Sequence, residues 1–518
     1  MSAAAAEQAA PARVRTARSL PHWWPLAALT LLAAALRLST LGLQSLWYDE
    51  AFTVVRDLHP SLTATLRSVV HTENTPPLWY IIEWADSRVL GTGAVALRLP
   101  SALFGIAVVP VAWAIGRELS GRRAAVLCAA MVAVNPLFWW YSQEARAYEL
   151  FVLTAALAML CFLRAEREPT PRRMALFALT GALALLSHYF AVFLLVPMVL
   201  ILLADPRLRR AALRAVAALS AVGLALLPLV LAQGGHGTQW IGRWPLVQRL
   251  EAIPQYYLTG YSGAPLGHGV ELLVALPILA GIAFGVWRIY EPPAAARKRG
   301  PQALAAQADF ARERRGLWLA VVIAAAGILI PLALALAGKD YLAPRNLVAA
   351  MIPATAAIAV LVASPSTARV GLLIGAGIIA AALAITVDVN LSPRLQRGDW
   401  HGLAQAIGRG DSERVITTVE LGDTPLEYYL PGMRNMRPGS KVLVREIDET
   451  GYAPLRPTAA DPPAAGFQLH ARLNVNGLIV YRFVSPVPRL VSEASLRRHV
   501  ITLATPDVLI PANARLST

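Results

Sequence analysis

The sequence predicts an all-α polytopic membrane protein of about eleven transmembrane helices, followed by a small α/β domain at the C-terminal end. Three observations predict it. Of the 518 residues 56% are hydrophobic and only 15% charged, with a mean hydropathy of +0.51, whereas soluble chains carry nearer a quarter charged residues. Apolar runs of spanning length recur as far as residue 387, each near the 20 residues that cross about 30 Å of hydrocarbon. From residue 389 the pattern changes to short β-rich runs bounded by Gly, Pro and Asp.

In order, the runs lie at about 23–44, 97–116, 124–141, 147–163, 174–191, 190–204, 211–232, 266–287, 317–337, 347–363 and 369–387. The first follows Arg13, Arg15 and Arg18; it is too long for a signal-peptide core and has no convincing small-residue cleavage site, so it reads as an uncleaved anchor after a cytoplasmic tail, residues 1–22. Residues 45–96 form a large first external loop. Within it, residues 78–90 are short for a span and interrupted by Glu83, Asp86 and Arg88, which predicts an amphipathic helix along the interface with its tryptophans at headgroup depth. The Pro/Ala stretches 292–306 and 457–465 read as loops. In the tail, 399–407 has helical spacing, and Arg414 to Leu421, Lys441 to Ile447 and Leu478 to Val484 read as strands, with a disordered end expected. The expected division is therefore a tail at 1–22, a membrane domain at 23–388 and an extracytoplasmic domain at 389–518.

The net charge of +15 would suit nucleic-acid binding, but its distribution excludes that class. Residues 1–388 carry 32 Lys and Arg against 20 acids, and residues 389–518 carry 15 against 12, so the excess lies among the spans. Alternating sides from a cytoplasmic N-terminus places 22 basic residues on the cytoplasmic side and 9 in external loops, the pattern that orients a protein of the cytoplasmic (inner) membrane. Cys128 and Cys161 both fall in apolar runs, so neither a disulfide framework nor a cysteine metal site is indicated.

Chemistry then belongs to the rare polar residues on the external side. Trp47-Tyr48-Asp49-Glu50-Ala51 follows the first span, and His71-Thr72-Glu73-Asn74-Thr75-Pro76-Pro77 comes later in the same loop. Paired acids beside aromatics suit a general base with a sugar platform; they equally suit solvated helix ends and an aromatic belt. Ser142-Gln143-Glu144-Ala145-Arg146 follows the third span, with Ser142 as the expected N-cap of the next helix. Ser187-His188-Tyr189 and Lys339-Asp340-Tyr341, with Arg345 just beyond, sit at further external ends, where a lone His or Arg caps or snorkels more often than it reacts.

Taken in order, W-Y-D-E-A, T-P-P-L-W-Y, R-L-P-S-A-L-F-G (Arg98 to Gly105), Y-S-Q-E-A-R-A-Y-E-L, S-H-Y-F and Y-L-A-P-R-N-L resemble the GT-C superfamily of polytopic glycosyltransferases. Within it the set is similar to the bacterial protein-mannosyltransferase-like branch, which includes the transferase that adds aminoarabinose to lipid A. The resemblance covers about residues 23–390, and the Asp399-Trp400 start of the tail is also similar. It implies transfer of a sugar, with inversion, from a polyprenyl-phosphate-linked donor to a hydroxyl of a lipid, polysaccharide or protein acceptor at the outer face. No nucleotide sugar is available there, and the sequence has no nucleotide-binding fingerprint: Gly234 to Trp240 lacks the spacing and the Lys-Ser/Thr of a P-loop.

Residue by residue, the resemblance implies Asp49 as the base that takes the acceptor proton, Glu50 as a residue orienting it or the acceptor, and Glu73 as an assisting acid. Thr75 stands where the aminoarabinose transferase has a phosphate-binding lysine, so the donor phosphate falls to Arg146 or Arg345, with Lys339, His188 and Tyr341 as further donor contacts. Asp49, Glu50, Glu73 and His71 could supply metal ligands as in some relatives, but His71-x-Glu73 is not a specific motif and the expectation is no metal and no other cofactor. The alternative reading is a polytopic transporter or lipid flippase. Against it, the acids collect in one external loop rather than at the midplane, and the halves of the chain do not match.

Overall fold

The computed structural model describes residues 23–260, 267–291, 300–408, 413–502 and 505–517. The expected cytoplasmic tail 1–22 and residues 292–299 of the first Pro/Ala stretch lie outside the described residues.

Over its described residues each apolar run folds mainly as helix. Among the described residues six helical segments, Ala94–Ser120, Tyr148–Arg167, Arg209–Gln233, Pro301–Leu336, Pro344–Ala363 and Arg369–Leu391, are long and apolar enough to cross a bilayer unaided. A seventh span forms if Arg122–Val134 and Pro136–Ser142, bent by 54° at Asn135, are taken together. Pro136 opens the second half at a position that needs no backbone donor, and the Asn135 side chain caps Leu137 N–H (2.9 Å) and Phe138 N–H (3.3 Å). The Trp24–Leu38, Pro171–Ser187 and Ala191–Ala204 helices have 15, 17 and 14 residues, about 21–26 Å of rise, and cross only with their flanking turns.

The long helices separate two ends of the molecule. Ala94–Ser120 and Tyr148–Arg167 both start where the 45–96 loop packs; both finish among the basic clusters, where Glu118 pairs with Arg164 (3.2 Å) and Arg167 (3.1 Å). Arg312 donates to the Glu118 carbonyl at that same end, and Arg315 pairs with Glu166. The 45–96 loop, the 142–147 turn and the 339–346 segment gather at the other. Between the ends, Trp139, Phe151, Phe162 and Phe177 are buried among small residues. Arg37, inside the first helix, is buried with them; it donates to Ser142 Oγ (2.9 Å) and to the Ala133 carbonyl (2.8 Å).

After the helix Ala368–Leu391 the chain forms strands β1 (Arg414–Thr418), β2 (Met433–Asn435), β3 (Lys441–Tyr452), β4 (Gln468–Val475), β5 (Leu478–Ser492), β6 (Asp507–Pro511) and β7 (Leu516–Ser517). The order across the sheet is β2-β6-β1-β3-β5-β4, with β7 also on β3; only β1 and β3 run parallel. The Trp400–Ile407 helix, capped by Asp399, and the Asp423–Tyr429 helix cover one face, meeting Ile416, Val480 and Leu509.

Several expectations need correction. The end expected to be disordered supplies β6, an interior strand of the sheet, because Val508 to Ile510 are apolar enough to be buried between β1 and β2. Residues 301–306, expected as loop, begin the Pro301–Leu336 helix, since proline is favoured in a first turn and the following Gln-Ala-Leu-Ala-Ala run favours helix; 457–465 holds only one 3₁₀ turn, Pro457–Ala460. The 78–90 helix forms, but Trp79 is fully buried against Leu46, Val69 and Leu97 rather than set at headgroup depth. Ser142 ends a helix instead of capping the next, because its hydroxyl is committed to Arg37 and to the Phe138 carbonyl (2.6 Å).

Candidate active site

The first loop enters the site through the Tyr48–Phe52 helix, which continues into a wider turn at Thr53–Asp57 closed by Leu58 N–H on the Thr53 carbonyl (2.9 Å). Glu50 is fully buried in that helix. Arg98 grips it with two bonds of 2.7 and 2.6 Å, and the backbone N–H groups of Ala145 (2.9 Å) and Trp47 (3.3 Å) complete its shell. Burial opposes its charge, yet the Arg98 guanidinium outweighs this and holds the carboxyl below its usual range. Glu50 is therefore out of reach of an acceptor and staples the loop to the 142–147 turn.

Glu73 is also buried, and Arg146 forks onto both its oxygens at 2.6 and 2.8 Å. Burial pushes its pKa up, but Arg146 prevails and holds it low. The same guanidinium donates to Thr53 Oγ1 (3.0 Å) and to the Asp49 carbonyl (3.4 Å), so it supports the loop from beneath. Asp57 accepts from Thr72 (2.7 Å) and Ser68 (3.1 Å); burial, and then the neighbouring charge of Glu73, push it up to about 7. Glu144 pairs with Arg397 at 2.9 Å, both side chains 1% exposed, and burial pushes it up to about 7 against the pull of Arg397.

Asp49 differs from all of these. Its side chain keeps 18% exposure, and its Oδ2 accepts from Arg345 (2.9 Å), itself 20% exposed and 296 residues away. The Arg345 guanidinium lies over Trp240, 4.6 Å from the ring centroid. Of Asp49, Glu50, Asp57, Glu73 and Glu144, Asp49 alone is not buried.

The structure thus brings Asp49, Glu50, Glu73, Arg146 and Arg345 together. His188 is buried nearby, its ring stacked on Phe151 (4.7 Å) and its Nδ1 accepting from Phe190 N–H (3.2 Å). Lys339 and Tyr341 stand exposed at the rim. Thr75 Oγ1 lies 3.0 Å from the Tyr80 hydroxyl, and its carbonyl accepts from Gln233 (3.1 Å). The ligand set considered for a metal does not fit: Glu50, Glu73 and Asp49 would each have to give up an arginine, and His71 is exposed.

Four residues escaped the sequence reading. Arg98 sat unremarked inside a quoted motif, and Arg397 lies two residues before the Asp399-Trp400 pair that did attract notice. Asp57 and Trp240 carry no pattern that marks them.

Residues 74–232 match the family model of the dolichyl-phosphate-mannose-protein mannosyltransferases. The superfamily resemblance is thereby borne out. The matched segment contains Arg98, Glu144, Arg146 and His188; Asp49, Glu50, Glu73 and Arg345 lie outside it. Among solved structures, the S. cerevisiae protein O-mannosyltransferase Pmt1-Pmt2 complex bound to the sugar donor is similar at 18% identity and a TM-score of 0.32, over 42% of this chain and 34% of that one. An Archaeoglobus fulgidus oligosaccharyltransferase tethered with an acceptor peptide gives 14% and 0.42, over 74% of this chain and 57% of that one. ArnT from Cupriavidus metallidurans bound to undecaprenyl phosphate gives 14% and 0.40, over 89% and 98%. The chain spans about a third of the yeast chain and under two thirds of the archaeal one. No curated protein matches it.

Proposed function

We propose that the protein is a membrane glycosyltransferase that moves a sugar from a polyprenyl-phosphate-linked donor to an acceptor hydroxyl, with inversion, at the outer face of the cytoplasmic membrane. The observation that carries this reading is the Asp49–Arg345 pair: a carboxylate and a guanidinium 2.9 Å apart and open to solvent, at the end of the helical layer away from the basic clusters. In this reading the N-terminus is cytoplasmic, residues 23–388 are the membrane domain, and residues 389–518 form an extracytoplasmic domain.

The donor's phosphodiester carries a negative charge that draws Arg345 onto its oxygens, which releases Asp49 from its ion pair. Asp49 then takes the proton of the acceptor hydroxyl as that oxygen bonds to the anomeric carbon from the face opposite the phosphate. The anomeric carbon–oxygen bond breaks, and the polyprenyl phosphate leaves with the second negative charge, which Arg345 stabilises as it develops. Trp240 offers aromatic surface beside this pair for a sugar face.

The test is Asp49→Asn in a deletion strain complemented with the full chain, with envelope glycolipids and glycoproteins read by mass spectrometry. In parallel, purified enzyme in proteoliposomes is assayed for transfer from undecaprenyl-phosphate mannose. Loss of a general base lowers transfer by about 10²–10⁴-fold at unchanged folding. Transfer by the variant at the wild-type rate refutes Asp49 as the base, and a deletion strain with an unaltered envelope glycan profile refutes the transferase.

A further inference from the structure

The turn between the Pro136–Ser142 and Tyr148–Arg167 helices is where the site's carboxylates are anchored. Ala145 N–H holds Glu50, and Arg146 holds Glu73 and the Asp49 carbonyl. The turn has little secondary structure to hold it: Gln143 N–H reaches the Trp140 carbonyl at 3.1 Å and Glu144 N–H the Tyr141 carbonyl at 3.3 Å. A third element fixes it. Arg397, in the segment that joins the last membrane helix to the sheet domain, is inserted into the helical layer with its side chain 1% exposed. Its Nη1 donates to the Gln143 carbonyl at 2.7 Å, and its Nη2 to Glu144 Oε2 at 2.9 Å and to the Trp140 carbonyl at 3.4 Å.

Its flat faces are used as well. The guanidinium carbon lies 4.4 Å from the Trp140 ring centroid and 5.6 Å from that of Trp47. Trp47 N-caps the helix that carries Asp49 and Glu50, and Trp140 ends in the turn that holds them. One planar cation therefore spans the two segments whose relative placement sets the position of Asp49. The join is reinforced beside it: Arg397 N–H donates to Gln44 Oε1 (3.0 Å), and Ser45 Oγ bridges the Gly398 carbonyl (2.9 Å) and Trp400 N–H (3.0 Å). In-plane donors to three acceptors together with aromatic contact on the ring plane are what guanidinium supplies and ammonium does not.

We propose that Arg397 is a positioning residue of the transfer site, acting through Glu144 and the 143–146 turn to hold Asp49 in register with Arg345. The proposal rests on the transferase reading above. It touches no reacting atom, so its loss leaves donor binding nearly intact and lowers turnover; a misplacement of about 1 Å in such a site costs on the order of 10²-fold.

The experiment uses full-length protein in proteoliposomes with undecaprenyl-phosphate mannose as donor, and compares wild type, Arg397→Met, Glu144→Gln and the double variant. The expected result is kcat lowered about 10²-fold in Arg397→Met with donor KM within threefold. Glu144→Gln is expected to lose about tenfold, and the double variant no more than Arg397→Met alone, since both changes break one contact. A folded Arg397→Met with kcat within twofold of wild type, or a double variant whose losses multiply, overturns the proposal. If Arg397→Met does not fold, Glu144→Gln decides alone, and kcat within twofold of wild type overturns it. A wild type that transfers nothing while the deletion strain's glycans are unaltered overturns the transferase reading and this inference with it.

Discussion

Arg98 and Glu50 form a pair whose two halves should fail unequally. The pair is buried, 1% and 0% exposed, and removing one partner of such a pair typically costs 3–5 kcal/mol because the other charge is left uncompensated. In Glu50→Gln the guanidinium keeps three backbone acceptors, Leu41 (3.0 Å), Gln44 (2.7 Å) and Ser45 (2.9 Å), so the cost falls near about 3 kcal/mol. In Arg98→Gln the carboxylate keeps only the N–H groups of Ala145 and Trp47, and the three carbonyls lose their donor, so the cost rises to about 5 kcal/mol. The two variants also differ in pH dependence. In wild type the Glu50 pKa lies below its usual value, so its contribution is present above about 4.5 and is lost as pH falls through the folded value. Without Arg98, burial alone raises it; the folded state then binds more protons than the unfolded one above about 4.5, and stability falls as pH rises. The gap between wild type and Arg98→Gln therefore widens from pH 5 to 8, while that for Glu50→Gln narrows toward acid. The buried Cys128 and half-buried Cys161 provide the assay: a maleimide fluorophore labels them as the detergent-solubilised protein melts. With unfolding entropy of about 2.1 cal/mol/K per residue over roughly 370 membrane-domain residues, the falls are about 4 °C and 6 °C. Equal shifts at pH 8, or an Arg98→Gln gap that shrinks with rising pH, refute the reasoning.

Two further outcomes follow from the same geometry. Asp57→Asn keeps the acceptor for Thr72 and Ser68 but cannot ionise; because burial and Glu73 raise the Asp57 pKa to about 7, wild type loses stability between about pH 4 and 7, and the variant gains on it by about 2–3 kcal/mol from pH 5 to 8. Melting curves that stay parallel across that range contradict it. At Gly316 an added Cβ would stand 2.7 Å from the Leu119 carbonyl, where the Pro301–Leu336 and Ala94–Ser120 helices touch, so Gly316→Ala costs about 1–3 kcal/mol, whereas Gly377→Ala, with nothing within 4 Å of its added Cβ, changes melting by no more than about 0.5 kcal/mol; reversal of that order refutes the packing.

The helical layer was legible because hydrophobic runs and their polar breaks are local signals, but the 54° bend at Asn135 inside the 124–141 run went unread, although a single Asn-Pro step makes it. The 78–90 segment shows where local reading stops. Its buried positions, Trp79, Tyr80, Glu83 and Ser87, follow helical spacing, but the buried stripe includes an acid, so polarity misassigned the face. Glu83 has no hydrogen-bond partner for either oxygen among the described residues, and burial, with Asp86 second, raises its pKa well above the usual range, which favours the neutral form. At the site, Asp49 and Arg345 stood out as motif residues. That Glu50 and Glu73 are locked away did not, since their arginines lie 48 and 73 residues distant, and the partner of Glu144 lies 253 away in what reads as another domain.

That distant pairing has a consequence for the chemistry. Glu50 and Glu73 are each held low by one buried arginine, Arg98 and Arg146, whereas Glu144 beside Arg397 and Asp57 beside Glu73 are both pushed up to about 7. The buried carboxylates beneath the site are therefore each offset by a guanidinium or by a raised pKa, and in the proposed reaction the pair Asp49–Arg345 would supply the field that an incoming phosphodiester meets. In that proposed reaction an uncompensated carboxylate there would repel the donor phosphate, and an uncompensated arginine would compete with Arg345 for it. The three arginines come from a membrane helix, from an interhelical turn and from the start of the sheet domain. Each unit must be in place before this matching holds, and in the proposed reaction this would tie the reactivity of the part-exposed Asp49 carboxylate to the assembly of the whole chain.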